Sequence, residues 1–311
     1  MKSLRLNIII FMLANCWIGA AQQLPQFTQY MYNTISINPA YAGSRETLSV
    51  VGLHRSQWVG LEGAPTTQTL SVHTPLRNDR VGIGLSFIND ELGYENFSYL
   101  YGDFSYTLPI GQKAKLAFGM KAGFTQYHID QELLNDPTVI NDQFFNEVSN
   151  RWSPNLGFGA FLHTNRWYLG LSAPRVLNTD YNNGGNGTID YVALERVSYY
   201  FTGGYVLDLS ASTKFKPAAL IKATNGAPLS FDITANFLFY DTFWLGASYR
   251  INESAEAIGG LADFQVSKQL RIGYAYEYPL SELRAYTSGT HEVLLMFEIF
   301  KSKRIKSPRY F

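Results

Sequence analysis

Ala114-Lys115-Leu116-Ala117-Phe118-Gly119-Met120-Lys121-Ala122-Gly123-Phe124-Thr125 changes character at every step. Ala114, Leu116, Phe118, Met120, Ala122 and Phe124 form one apolar set, suited to lipid. Lys115, Ala117, Gly119, Lys121, Gly123 and Thr125 form the other, suited to a lumen. Side chains of a strand point alternately to its two faces, so period two is the signature of a sheet with one apolar and one polar side. The same alternation runs through 231–240, where Asp232, Thr234 and Asn236 oppose Phe231, Ile233 and Phe237, and through 242–250 and 270–278.

Outward from these stretches, fourteen strand-length segments are expected at 46–55, 66–75, 80–89, 97–108, 114–127, 153–163, 166–174, 195–208, 214–223, 229–240, 242–251, 256–267, 270–280 and 290–300. A soluble sandwich also alternates, so the connections discriminate. Links are longer at Ser56, Asp90, Ile129, Arg175, Thr224, Asn252 and Ser281, and shorter at Leu76, Pro109, Asn165, Ser210, Asp241 and Lys268. An even strand number with tight turns on one rim and longer loops on the other is the pattern of an outer-membrane barrel. Hydrocarbon offers no partner to an unpaired amide, so such a sheet must close on itself. The expected fold is therefore an all-β transmembrane antiparallel barrel of about fourteen strands, with both its ends on the short-turn, periplasmic rim. Trp58, Trp152, Trp167, Tyr168, Tyr240 and Tyr249, near strand ends, are candidates for interfacial girdles.

The chain's start sets the compartment. Lys2 and Arg5 precede an apolar run from Leu6 to Ile18, and Gly19, Ala20 and Ala21 lead into Gln22 and Gln23, the layout of a secretory signal peptide cleaved after Ala21. A lipoprotein reading at Cys16 is weakened by Asn15, which stands where lipid attachment wants a small side chain. Expected divisions are a signal peptide at 1–21, a periplasmic or lumenal segment at 22–45, the barrel at 46–300 and a basic periplasmic tail at 301–311. Loss of Lys2, Arg5 and the single cysteine leaves 23 basic against 25 acidic residues and no thiol. That excludes disulfides, and the balance argues against nucleic-acid binding, which wants a basic excess. Twenty-one Tyr and 21 Phe favour strands.

Little here announces catalysis. His54, His73, His128, His163 and His291 are scattered, without the spacing of a zinc site, and His128 with Asp130 is the nearest approach to a ligand pair. Asn182-Asn183-Gly184-Gly185-Asn186-Gly187 lacks the lysine and the strand-to-helix setting of a phosphate loop. No cofactor and no metal are expected. Alternation turns Asp103, Lys115, Lys121, Lys222, Arg250, Asp263, Arg271 and Glu277 towards the lumen. Their mixed signs suggest a hydrated interior rather than an ion-selective ring.

Two blocks go beyond barrel physics. One is Gln26-Phe27-Thr28-Gln29-Tyr30-Met31-Tyr32-Asn33 with Ile37-Asn38-Pro39-Ala40-Tyr41-Ala42-Gly43; the other is Arg55-Ser56-Gln57-Trp58 with Gly63-Ala64-Pro65 and Thr67. Together with the ending Ser307-Pro308-Arg309-Tyr310-Phe311 they resemble the PorP/SprF family. The resemblance implies an outer-membrane component working with type IX secretion or gliding proteins in Bacteroidetes-type bacteria. It also implies large secreted adhesin-type clients, outer-membrane lipid around the barrel, and binding without catalysis. On that basis Asn38, Pro39, Ala40, Tyr41, Ala42, Gly43, Arg55, Trp58, Gly63, Ala64 and Pro65 are candidates for partner binding or for seating a plug. A turn leading into the first strand explains Pro39 and Gly43 equally well. The competing function is a diffusion channel or small-hydrophobe transporter.

Overall fold

The computed structural model describes residues 25–130, 150–180, 194–252 and 256–300. The expected signal peptide, the basic tail and the Asn182–Gly187 stretch lie outside them. Among the described residues, fourteen strands form the wall: β1 Leu48–Ser56, β2 Thr66–Pro75, β3 Val81–Leu92, β4 Glu95–Ile110, β5 Ala114–Ile129, β6 Asn150–His163, β7 Trp167–Ala173, β8 Ser198–Tyr205, β9 Thr213–Thr224, β10 Ser230–Phe239, β11 Phe243–Ile251, β12 Ala257–Gln265, β13 Leu270–Pro279 and β14 Thr290–Ile299. Every strand pairs antiparallel with its neighbours, and β1 meets β14 from Leu48↔Ile299 to Ser56↔His291. Among the described residues the wall closes into a ring, the form in which a sheet satisfies its backbone in hydrocarbon.

Alternation holds around the ring. On β5, Phe118, Met120 and Phe124 face out while Ala117, Lys121 and Thr125 are buried within. On β10, Asp232, Thr234 and Asn236 are buried and Ile233 is exposed. Fourteen antiparallel strands put both ends of the ring on one rim, which carries the tight turns at Gly111–Lys113, Thr164–Arg166 and Tyr240–Thr242. That is the periplasmic rim; the other is the outer rim.

Three features differ from the sequence reading. The longer link expected at Asp90 is a two-residue turn, Gly93-Tyr94, because β3 and β4 run on to Leu92 and from Glu95. Gly93 supplies its φ of +58°. Strand β7 stops at Ala173, opposite Phe158 of β6. The chain nevertheless continues beside β6, with Val176 N–H donating to Leu156 O at 2.8 Å. Two steps on β6 thus face three on its neighbour, a bulge that turns Arg175 inward. Asn155 bridges the break: its Oδ1 accepts from Val176 N at 3.1 Å and Leu177 N at 3.0 Å, and its Nδ2 donates to Leu177 O at 2.8 Å. Finally, Tyr168 is buried inside against Phe161, ring centroids 5.7 Å apart, and belongs to no girdle. It has the lumenal parity of β7; Trp152 and Tyr240 are exposed.

Residues 25–47 pack against the inner face of the wall. Two 3-10 turns, Thr34–Ser36 and Pro39–Tyr41, shape this segment, and Phe27 to Ile35 are buried throughout.

Candidate functional site

The site is the lumen and the segment inside it. From Gln26 the segment starts near the outer rim. The Gln26 amide donates to Asp232, and Thr28 gives its N–H and its hydroxyl to Glu292, at 2.7 and 2.9 Å. Both carboxylates stand near the outer ends of their strands. The chain then descends. Tyr32 OH donates to Asp263 at 3.1 Å, Asn33 Nδ2 to Thr69 at 3.0 Å, and Lys121 Nζ to Ile35 O at 3.2 Å. It reaches the periplasmic rim at Arg45, paired with Glu298 at 2.7 Å, and at Glu46, paired with Lys115. Burial is the largest influence on the Arg45 cation and would weaken it, but Glu298 and Tyr41 beside it together outweigh burial and keep the guanidinium charged. Burial likewise pushes the Tyr30 phenol up, so it remains a neutral hydroxyl.

Asn38 to Gly43 form the tightest part of the seat. Asn38 caps the second 3-10 turn, its Oδ1 accepting from Ala40 N at 3.0 Å, while its Nδ2 reaches the wall at Ala160 O, also 3.0 Å. Pro39 opens the turn, where its missing N–H costs nothing. Ser105 donates to Ala42 O at 2.6 Å, and Gly43 N–H donates to His73 Nδ1 at 3.2 Å. Tyr41 meets His73 and Phe161 edge-on, each at 5.4 Å. The wall makes room with glycine: a Cβ at Gly119 would lie 2.1 Å from Ala40 N, and one at Gly82 would lie 2.0 Å from Ala42 O. Backbone approaches this close admit no side chain.

Arg55 joins this seat at the outer end. It pairs with Glu292 and, at 2.8 Å, with Glu277, and touches Thr28 Oγ1 at 3.3 Å. Glu277 also meets Arg250 at 3.2 Å, and Arg250 pairs with Asp232 at 2.7 Å. Trp58, Gly63, Ala64 and Pro65 lie elsewhere, in the loop between β1 and β2 on the outer rim. That loop is tied to its neighbours by Val59 N to Gly289 O at 2.8 Å and Gly93 N to Gly63 O at 3.0 Å. Of the other lumenal charges, Asp103 and Lys121 pair at 3.0 Å. Asp263 holds Tyr32, the Arg271 guanidinium lies 5.1 Å from the Tyr32 ring centre, and Lys222 is buried on β9. Lys115 is half exposed at the periplasmic rim.

The lumen is more apolar than the sequence suggested. Val51, Leu53, Leu261, Leu294 and Met296 face inward and are buried against Phe27, Tyr30, Met31 and Ile37. Sequence reasoning missed Glu292, Glu298, Lys216, Arg175 and Glu195. The lumenal parity of 290–299 was a usable signal for the first two. Arg175 pairs with Glu195 and stacks on Tyr99 at 4.2 Å because a bulge, which alternation does not announce, points it in.

Known structures with similar folds are outer-membrane barrels. The chain shares 9% identity with Acinetobacter baumannii Omp33 (TM-score 0.48, 82% of this chain and 98% of that one). With the monoaromatic hydrocarbon channel CymD it shares 12% (0.49, 90% and 94%), and with the P. putida toluene transporter TodX 10% (0.48, 87% and 95%). No curated protein matches it. A family model, the type IX secretion system membrane protein PorP/SprF, matches residues 19–297. With that match over nearly the whole closed ring, the chain belongs to the PorP/SprF family and is an outer-membrane component of type IX secretion.

Proposed function

We propose that this barrel works without catalysis, as a plugged anchor or assembly partner for secreted surface proteins of the adhesin class. The observation that carries the reading is the apolar inner wall. Val51, Leu53, Leu294 and Met296 would face water in an open pore, yet they are buried under residues 27–37. Exposing that wall would carry the hydrophobic cost of each side chain, about 1.5–3 kcal/mol apiece, so the segment is a permanent filling rather than a loose gate. A filled barrel offers its two rims to other proteins. The loop from Gln57 to Pro65, cross-tied to Gly289 and Gly93, gives the outer rim a preformed surface.

Crosslinking in native membranes, followed by affinity capture, tests this. Recovery of a large secreted protein or of other secretion components supports the anchor; a barrel recovered alone from cells actively exporting such proteins counts against it.

The second reading, a diffusion channel or hydrophobe transporter, is favoured by one feature. Gln29 and Tyr30 of the segment and Thr234, Asn236 and Trp244 of the wall are all buried polar-bearing residues of the β10–β13 side. Solute uptake by liposomes carrying the purified barrel would select it.

A further inference from the structure

The outward face of β1 to β6 changes chemistry along one lateral line. Leu70 pairs with Phe87, Phe87 with Leu100 and Leu100 with Phe124, an exposed apolar row turned to lipid. One outward position nearer the outer rim, the row reads His54, Gln68, Asn89, Ser98, Gln126 and Trp152, each paired with the next. The row above that is Ser56, Thr66, Glu91, Asn96, His128 and Asn150. Strands β3 to β6 hold 12, 16, 16 and 14 residues, where roughly 9–11 suffice to cross a bilayer. The excess lifts both polar rows above the hydrocarbon. On β8 and β11 to β13 the outward face stays apolar to the outer ends, at Tyr199, Ile251, Ile258 and Tyr278. The polar belt therefore belongs to one side of the barrel.

Hydrogen bonds hold the belt's side chains in place. The Ser98 hydroxyl donates to Asn89 Oδ1 at 2.8 Å, and Asn89 Nδ2 and Asn96 Nδ2 donate to Glu91 at 2.9 and 3.2 Å. Gln126 Nε2 donates to Asn150 Oδ1 at 3.1 Å. An amide has two donor hydrogens and two acceptor lone pairs, so each keeps capacity to bond outward. With strands roughly 4.8 Å apart, the belt is a flat grid of donors and acceptors. Trp152, 63% exposed, ends the lower row with a broad apolar ring. Neither row contains lysine or arginine.

We infer that this belt binds the uncharged saccharide headgroup of an outer-leaflet glycolipid whose acyl chains cover the apolar row beneath it. The polar rows continue the same outward face as Leu70, Phe87, Leu100 and Phe124, so the lipid that covers those residues ends at the belt. A sugar hydroxyl donates and accepts at once, as the amides do, and the C–H face of a pyranose packs on the Trp152 ring. A phosphate headgroup wants lysine or arginine, and here it meets Glu91 instead. A partner strand finds no edge, because β2 to β5 are hydrogen-bonded on both sides. The inference rests on the outer-membrane placement and is independent of the anchor reading.

Native mass spectrometry of the full-length barrel tests this, with a diglycosyl diacylglycerol and a phosphatidylglycerol of identical chains. The glycolipid should be retained about tenfold better, the size of one or two net hydrogen bonds. Asn89→Leu combined with Gln126→Leu should erase that preference while both lipids still bind through their chains. Both positions face away from the lumen, so folding is preserved, and a heat-modifiability gel verifies it; Gln68→Leu is the milder second variant, with a partial loss expected. Equal retention of the two lipids by the parent, or a preference that survives the double substitution, overturns the site. Displacement of the glycolipid by an equal concentration of its free disaccharide also overturns it, assigning the belt to a soluble glycan. So does a dimer mass lost in the double variant, which would assign the belt to a second copy.

Discussion

Thr28 donates both its backbone N–H and its hydroxyl to the same carboxylate oxygen of Glu292, a residue 264 positions later on the strand that closes the ring. Gln29 N–H takes the other oxygen at 3.1 Å, and Arg55 supplies the countercharge. The seam of the barrel and the top of its filling therefore share one buried carboxylate.

Removing that charge should be costly. Glu292→Gln leaves Arg55 buried with Glu277 as its remaining acidic partner, and a broken buried pair typically costs about 3–5 kcal/mol. The unfolding midpoint of the detergent-solubilised barrel should fall accordingly. The double variant Arg55→Met with Glu292→Leu should recover part of the loss, since it leaves no orphan charge. A Glu292→Gln barrel as stable as the parent would mean that the cluster contributes little.

Gly119 offers a sharper separation of filling from wall. Gly119→Val drives a side chain into the backbone at Ala40, whereas Gly260→Ala meets nothing within 4 Å. The first variant should dislodge residues 38–43, and limited proteolysis should then cut within 25–47 at a rate well above that of the parent. The second should behave as the parent does. Equal protection in both would show that the segment packs less closely than the distances state.

The segment also has a direction: Gln26 sits by the outer rim and Arg45 by the periplasmic one. The only cysteine, Cys16, lies in the expected signal peptide, so introduced thiols report cleanly. Pro25→Cys, half-buried at the upper end, should react with a membrane-impermeant maleimide on intact cells. Arg77→Cys, exposed in the turn between β2 and β3, should react only after permeabilisation. Reaction of both positions only after permeabilisation would reverse the direction.

Asn155 should matter beyond its size. Asn155→Ala strips partners from Leu177 N and Leu177 O and leaves Val176 N with Leu156 O as its acceptor, and each buried group left unpaired costs about 1–3 kcal/mol. Hydrogen exchange should rise at Leu177, and unchanged protection there would assign the bulge's stability to the Arg175–Glu195 pair instead.

How much of this was legible follows from where lipid acts. Within the hydrocarbon each second residue must be apolar, so 114–125, 231–240 and 270–278 announced strand, face and register together. Above it the constraint lapses. Asn89, Asp90 and Glu91 extend β3 without alternation, and the tight turn at Gly93 read as a loop. The bulge after Ala173 inserts a residue that no periodicity marks. The seat of residues 25–47 was hidden for another reason. Its partners lie up to 264 positions away, and no local pattern couples Asn38 to Ala160 or Thr28 to Glu292. What the sequence did hold was a set of gaps: Gly82, Gly119 and Gly159 all have lumenal parity, which marks where backbone must lie against the wall. The run Leu294-Leu295-Met296-Phe297 was a second mark. An apolar residue on both faces of a barrel strand means that something covers the inner one.

The most direct test is single-barrel recording in a planar bilayer. The parent protein should show no sustained open-pore current, and Gly119→Val should introduce one as its filling is displaced. A steady, large conductance from the parent barrel would contradict a lumen occupied by its own N-terminal segment.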